Sequence, residues 1–210
     1  VTAAAADTAL CPTCTSQTAS IDSDGVPWRS EALHAELGKQ LKALGKLLTH
    51  PSEISPDRLR PLADAQFVSG ALRPHRLEVV FQDQTFTVRR PPESLRRPSI
   101  LVRQGLSGLA GSLGELLEPL GDADAIRTKF KIFRISENMQ AQRAETLAYF
   151  SLFGRGGNRR VEINATWQCT WALGKEQAPR LLRITVGDYE ETTARGPGGA
   201  PLLADCTAAV

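Results

Sequence analysis

Two cysteines near the start of the chain, Cys11 and Cys14, have the two-residue spacing of a redox-active pair. A thiolate in such a pair needs a lowered pKa, which commonly comes from a helix that begins directly after it. The surrounding Ala, Thr and Ser residues show no helical periodicity, so a local disulfide, a lost linkage or no function is the better interpretation. A metal site would need Cys169 and Cys206 to converge on this segment, and no histidine lies at ligand spacing from them. We therefore predict no metal site.

The histidines and glycines indicate no catalytic machinery. His34, His50 and His75 are scattered, so no local pair suggests a general base with an orienting partner. The glycine-rich segment 105–114 lacks the lysine of a phosphate-binding loop. We expect no catalytic residue and no cofactor.

Aromatic residues are the remaining candidates for chemistry. Trp167, Trp171 and Tyr149, with Arg134 on a neighbouring run, could line a ligand pocket between a sheet and its helices. Inward aromatic side chains of a sheet are more often core, so core packing is the default interpretation. Two further charged groups, Glu145 and Asp188, could reach such a pocket. The alternation changes parity within residues 130–135, which predicts a β-bulge there.

Apolar periodicity predicts three helices. A leucine stripe with steps of three and four begins near Ser30 and ends before Pro51. Ser55 followed by Pro56 predicts the start of a short helix that reaches about Leu62. A third stripe covers residues 106–120, although its glycines weaken it.

Period-two alternation predicts the strands. Residues 77–81 and 86–88 indicate a hairpin with one buried face that ends at Pro91 and Pro92. Residues 128–136, 144–154, 159–172 and 180–193 indicate four long strands in an antiparallel meander, with residues 154–158 supplying positive-φ positions for one turn. Strands of this length curl as their twist accumulates. The fold class is therefore α+β, with a curved antiparallel sheet of about four to six strands packed on two or three helices.

Length and charge exclude several classes of protein. A chain of 210 residues can bury one good core, so we expect one domain at 27–194 between a flexible leader, 1–26, and a linker or tail, 195–210. The net charge of +2 does not favour nucleic acid, and no apolar run has the roughly 18 residues of a membrane span. Arginines at 89, 90, 96 and 97 could dock an acidic partner, although solvated charge is the better interpretation. The chain begins at Val1, so we expect that an upstream segment has been removed.

The order of elements resembles the NTF2-like (SnoaL-like) cone fold, a cystatin-like α+β architecture. The C-terminal half is also similar to the domain that precedes the propeller in bacterial FG-GAP/VCBS-repeat proteins of the ASPIC/UnbV, or CRTAC-like, family. The segments that carry this similarity are Lys129–Lys131, Trp167–Trp171, Asp188–Glu191 and Pro201–Ala208. The resemblance implies an extracytoplasmic protein, periplasmic or secreted, with a further domain downstream. The propeller's calcium loops are absent, so no calcium site is carried over.

Three functional hypotheses follow. The first is a non-catalytic accessory or interaction domain of an exported multidomain protein, whose partner is its own downstream domain or another protein; this hypothesis predicts a filled interface between sheet and helices. The second is a domain that binds a small ligand, with a pocket of roughly 300 Å³ or more beside Trp167 or Trp171. The third is a SnoaL-like enzyme with a buried acid or histidine at that pocket. An exposed outer sheet face would favour a homodimer through the sheet.

Overall fold

The computed structural model describes residues 29–93, 103–157, 159–174 and 177–195. The leader 1–26, the tail beyond residue 195, the run 100–102 and three of the four cysteines, Cys11, Cys14 and Cys206, lie outside the described residues. The helices are α1 Arg29–Leu48, α2 Pro56–Leu59 and α3 Gly105–Leu117, with 3₁₀ turns at Pro51–Glu53 and Glu118–Leu120. The strands are β1 Ala63–Ser69, β2 Glu78–Gln82, β3 Phe86–Arg90, β4 Arg103–Gln104, β5 Ala125–Asn138, β6 Arg143–Gly156, β7 Arg159–Ala172 and β8 Arg180–Arg195.

All eight strands belong to one sheet, which is more than the four to six strands expected. The main order is β2-β3-β8-β7-β6-β5, and every neighbouring pair in it is antiparallel. The long strand β8 also pairs in parallel with β1 through its first half, and β1 pairs with β4. The predicted antiparallel meander, β5 to β8, is confirmed.

The helices pack on one face of the sheet and form the core with it. Helix α1 lies against β5, and α3 lies against β1. The leucine stripes of α1 and α3 are buried as predicted, except for their first members, Leu33 and Leu106, which are partly buried. The stripes share one core cluster with the inward residues of β6, β7 and β8. Because burial alternates along β6 and β7, one face of the sheet is core and the other is wet.

The second helix is shorter than predicted. Ser55 is its N-cap, with its Oγ accepting a hydrogen bond from the Arg58 backbone N–H at 3.4 Å, as the sequence indicated. The helix ends at Leu59 because the chain then turns into β1, and directly before that strand the Leu62 carbonyl accepts a hydrogen bond from the Leu181 N–H at 2.9 Å. Strand β1 was not predicted.

The leading hairpin forms where predicted, and β3 ends at Arg90 directly before Pro91. The prediction that one face of this hairpin is buried is wrong for β2, since all five of its residues are exposed. Strand β2 is the outermost strand of the sheet and pairs only with β3 among the described strands, so no inward face is covered there. A bulge between Val79 and Phe81 also breaks the alternation.

Candidate functional site

The two tryptophans predicted as ligand contacts lie in the core. The Trp167 ring packs against Phe150 and Phe130, with ring centroids 4.5 Å and 5.3 Å apart. The Trp171 Nε1 donates a hydrogen bond to Thr146 Oγ1 at 3.0 Å. Both indoles are fully buried, so at their positions the interface between sheet and helices is filled.

Tyr149 and Arg134 lie on the opposite, outer face of the sheet. Tyr149 is 55% exposed and stacks on Phe133 with centroids 4.4 Å apart. Phe133 is the extra residue of a bulge between Ile132 and Arg134, which confirms the bulge predicted there. The structure therefore does not bring the four proposed ligand residues together. Glu145 and Asp188, the other charged candidates, are exposed as well.

Cys169 is a small core residue, as the sequence indicated. It is fully buried and carries a free thiol. Burial, only partly offset by a hydrogen bond with Thr146, raises the pKa of this thiol to about 12, so it stays protonated. Within the described ranges no three His, Cys, Asp or Glu side chains gather as a metal site would require.

A buried ion pair, which the sequence interpretation missed, lies at the end of β8. The side chain of Glu191 is only 4% exposed, and its Oε2 accepts hydrogen bonds from Arg73 Nε and Nη2, both at 3.2 Å. The Tyr189 hydroxyl donates to the same oxygen at 3.5 Å, and Arg73 also reaches Glu118 at 3.5 Å. Burial, with the charge of Glu191, raises the pKa of the Tyr189 phenol.

The Glu191 carboxylate is therefore charge-paired with the Arg73 guanidinium. The phenol beside it, whose pKa is raised, keeps its hydrogen. The ion pair ties the loop after β1 to β8. A bulge in β8 explains why alternation could not reveal this ion pair: Asp188 has a φ of 49°, and the two residues Asp188 and Tyr189 lie across from Ala165.

An open cleft of about 490 Å³ lies at one end of the sheet, where α1 begins and the β5–β6 and β7–β8 connections meet. Leu33, Met139 and Leu173 supply much of its apolar lining, and Glu36 and Gln177 are two of its polar lining residues. The carboxylate of Glu36 pairs with Lys39 at 2.7 Å, and Gln177 accepts a hydrogen bond from Arg180 at 2.9 Å. Neither Trp167 nor Trp171 lines this cleft.

The hairpin of β2 and β3, residues 78–90, carries the most exposed apolar surface of the described chain, and we call it the apolar hairpin. Val79, Val80 and Phe81 are 51%, 54% and 51% exposed, and Phe86 across the turn is 36% exposed. Its turn is held by Asp83, whose Oδ1 accepts hydrogen bonds from the backbone N–H groups of Thr85 and Phe86. The hairpin therefore has a defined shape without burying its own apolar side chains.

Comparison with solved structures gives the fold. A protein from Catenulispora acidiphila matches with a TM-score of 0.53 and 12% identity, over 76% of this chain and 94% of that one. The hexachlorocyclohexane dehydrochlorinase LinA-type3 from Novosphingobium barchaimii matches with a TM-score of 0.50 and 10% identity, over 84% and 97%. An NTF2-like superfamily protein from Salmonella enterica also matches, with a TM-score of 0.46 and 9% identity, over 83% and 99%. No protein-family profile and no curated protein sequence matches the chain.

The chain has an NTF2-like fold. Helices on the inner face of a long antiparallel sheet are the architecture that the sequence predicted for it. At 9–12% identity these matches concern the fold alone. None of the described helices combines the length and apolar character that crossing a membrane requires.

Proposed function

We propose that this chain is a non-catalytic interaction domain that contacts a partner protein through the apolar hairpin. The observation that carries the proposal is the exposure of three successive apolar residues, Val79, Val80 and Phe81, on an edge strand. Water-exposed apolar surface on a sheet edge is a template for association, and soluble proteins ordinarily avoid it.

The interior supports the same proposal. The first hypothesis expected a filled interface between sheet and helices, and both tryptophans pack fully there. The buried carboxylate of Glu191 is held by two hydrogen bonds from Arg73. A domain with this interior would act through its surface. That the parent protein is exported and continues into a further domain is the part of the proposal that rests on sequence resemblance alone.

A photo-crosslinking experiment tests the interaction role. Phe81 is replaced by p-benzoylphenylalanine in the full-length protein within the cells that make it, and the matched control carries the same group at Gln168, exposed on the outer face of β7. We expect an adduct of defined mass at position 81 and none at 168. If irradiation yields no adduct at position 81, the hairpin is not a contact surface.

A second candidate function is the binding of a small, largely apolar molecule in the end cleft. Its volume of about 490 Å³ falls within the 300–1,000 Å³ of ligand sites, and its lining combines apolar side chains with a few polar groups. The position differs from the tryptophan pocket of the second hypothesis. The similarity to a dehydrochlorinase shows that this fold can serve an enzyme.

Thermal shift with a fragment library tests the cleft. Ala32 lines the cleft and Ala43 is exposed on the same helix without lining it, so Ala32→Trp should fill the site while Ala43→Trp controls for the added indole. Fragments that raise the melting temperature of the original chain should lose this effect only in Ala32→Trp. Equal loss in both variants, or in neither, would contradict a site in the cleft.

A further inference from the structure

We infer that the partner of the apolar hairpin is the same hairpin of a second copy of this chain, joined antiparallel around a two-fold axis at Val80. This inference rests on the interaction role proposed above. The other candidate for pairing between copies, the outer face of β5 to β8, was expected from the sequence and is mostly polar, with the Phe133–Tyr149 stack as its aromatic feature.

The free edge of β2 has one protective feature, the bulge at Val80, but it lacks the lysine or proline that blocks many sheet edges. Lysine, proline or a covering segment commonly blocks an edge. Strand β2 contains neither lysine nor proline, and its five residues are all exposed. The bulge leaves Val80 without a partner residue on β3, because Val79 pairs with Arg89 and Phe81 pairs with Val88. The most exposed apolar residue of the strand therefore lies at the centre of its free edge.

The sequence of β2 complements itself in this arrangement. A two-fold axis at Val80 places Val79 of one copy opposite Phe81 of the other, and Glu78 opposite Gln82. No like charges meet, and Glu78 already has a cationic neighbour, since Arg76 donates to its carboxylate at 3.0 Å. Moving the register by one residue toward the turn would place Glu78 opposite Asp83, and like charges directly opposite each other destabilise a strand pair.

Cysteine crosslinking tests this pairing in the full chain with Cys11, Cys14 and Cys206 replaced by Ser. The remaining Cys169 is fully buried and does not interfere. In the variant Val80→Cys the symmetric pairing places the Cα atoms of the two new cysteines within the roughly 4.4–6.8 Å that a disulfide needs. Mild oxidation should produce a species of twice the 22.7 kDa chain mass.

Two further variants make the result specific. Gln168→Cys on the outer sheet face should remain monomeric, and adding Phe81→Lys to Val80→Cys should abolish the crosslinked species while circular dichroism stays unchanged. Crosslinking through Gln168→Cys but not Val80→Cys would overturn the inference, because copies would then pair through the sheet face. Absence of crosslinking in both Val80→Cys and Gln168→Cys would overturn the inference too.

The two failures are distinguishable. If Val80→Cys does not crosslink but the photo-crosslinker at Phe81 captures a different protein, the interaction role stands and the second copy is excluded as the partner. If neither reagent reacts at the hairpin, both proposals fail.

Discussion

Arg73 supplies the positive charge that neutralises the buried carboxylate of Glu191, so the two residues should contribute unequally to stability. In Arg73→Met the carboxylate of Glu191, 4% exposed in the original chain, loses its cation. We expect a cost of about 3 kcal/mol, the lower end for a broken buried pair, because the Arg73 side chain is itself 28% exposed and water can replace part of it. In Glu191→Gln the Arg73 guanidinium can still donate hydrogen bonds to water, to Glu118 and to the new amide oxygen. The expected loss of unfolding free energy is therefore smaller, about 1–2 kcal/mol.

Urea unfolding followed by tryptophan emission measures both variants and the double variant. For a chain of this size the loss in Arg73→Met corresponds to a melting temperature about 6–12 °C lower. The double variant should lose less stability than the two single losses added together, by about 1 kcal/mol or more. The reason is that it contains neither the guanidinium nor the buried carboxylate, so no charge is left unpaired. If Glu191→Gln costs as much as Arg73→Met, or if Arg73→Met costs less than about 1 kcal/mol, the assignment of the pair as a buried, mutually dependent unit is wrong.

Three further predictions concern the core. Trp171→Phe should cost about 1–2 kcal/mol more than Trp167→Phe in urea unfolding, because it breaks a hydrogen bond to a buried threonine hydroxyl, whereas the Trp167 Nε1 has no partner. Gly45→Ala should destabilise the chain, since its Cβ would lie 2.7 Å from a strand hydroxyl, while Gly38→Ala meets nothing within 4 Å and should stabilise by up to about 1 kcal/mol. Cys169 should resist a thiol reagent at pH 8 until urea unfolds the protein, because the pKa of its thiol is about 12; labelling at the rate of a free thiol would refute its burial.

The sequence predicted the elements whose pattern is local. The residues of β7 from Val161 to Trp171 alternate in burial as they alternate in hydropathy, and the leucines of α1 repeat at helical spacing with Pro51 as a stop. These patterns need no knowledge of distant contacts, and together they predicted the NTF2-like fold.

Features that depend on distant contacts could not be predicted. Strand β1, with the mixed sequence ADAQFVS, is a strand because β8 pairs with it more than 100 residues later. The bulge at Asp188 shifts which residues of β8 point inward, so Glu191 could not be assigned to the interior. The sequence also could not show that Tyr149 and Arg134 lie on the opposite face of the sheet from Trp167 and Trp171. That depends on which face the helices cover, which is again a matter of distant contacts.

The unusual exposure of the apolar hairpin could have been predicted from the sequence, because Val80 breaks the alternation of apolar and polar residues. An alternating strand with one buried face has polar residues at every second position, but here Val79, Val80 and Phe81 follow one another. A continuous apolar run indicates a strand covered on both faces, and β2 is covered on neither. Polar residues on β2 would cost the core nothing, because none of its side chains belongs to the buried cluster. The apolar run therefore has no structural purpose within the described chain, and a second strand laid along it would supply one.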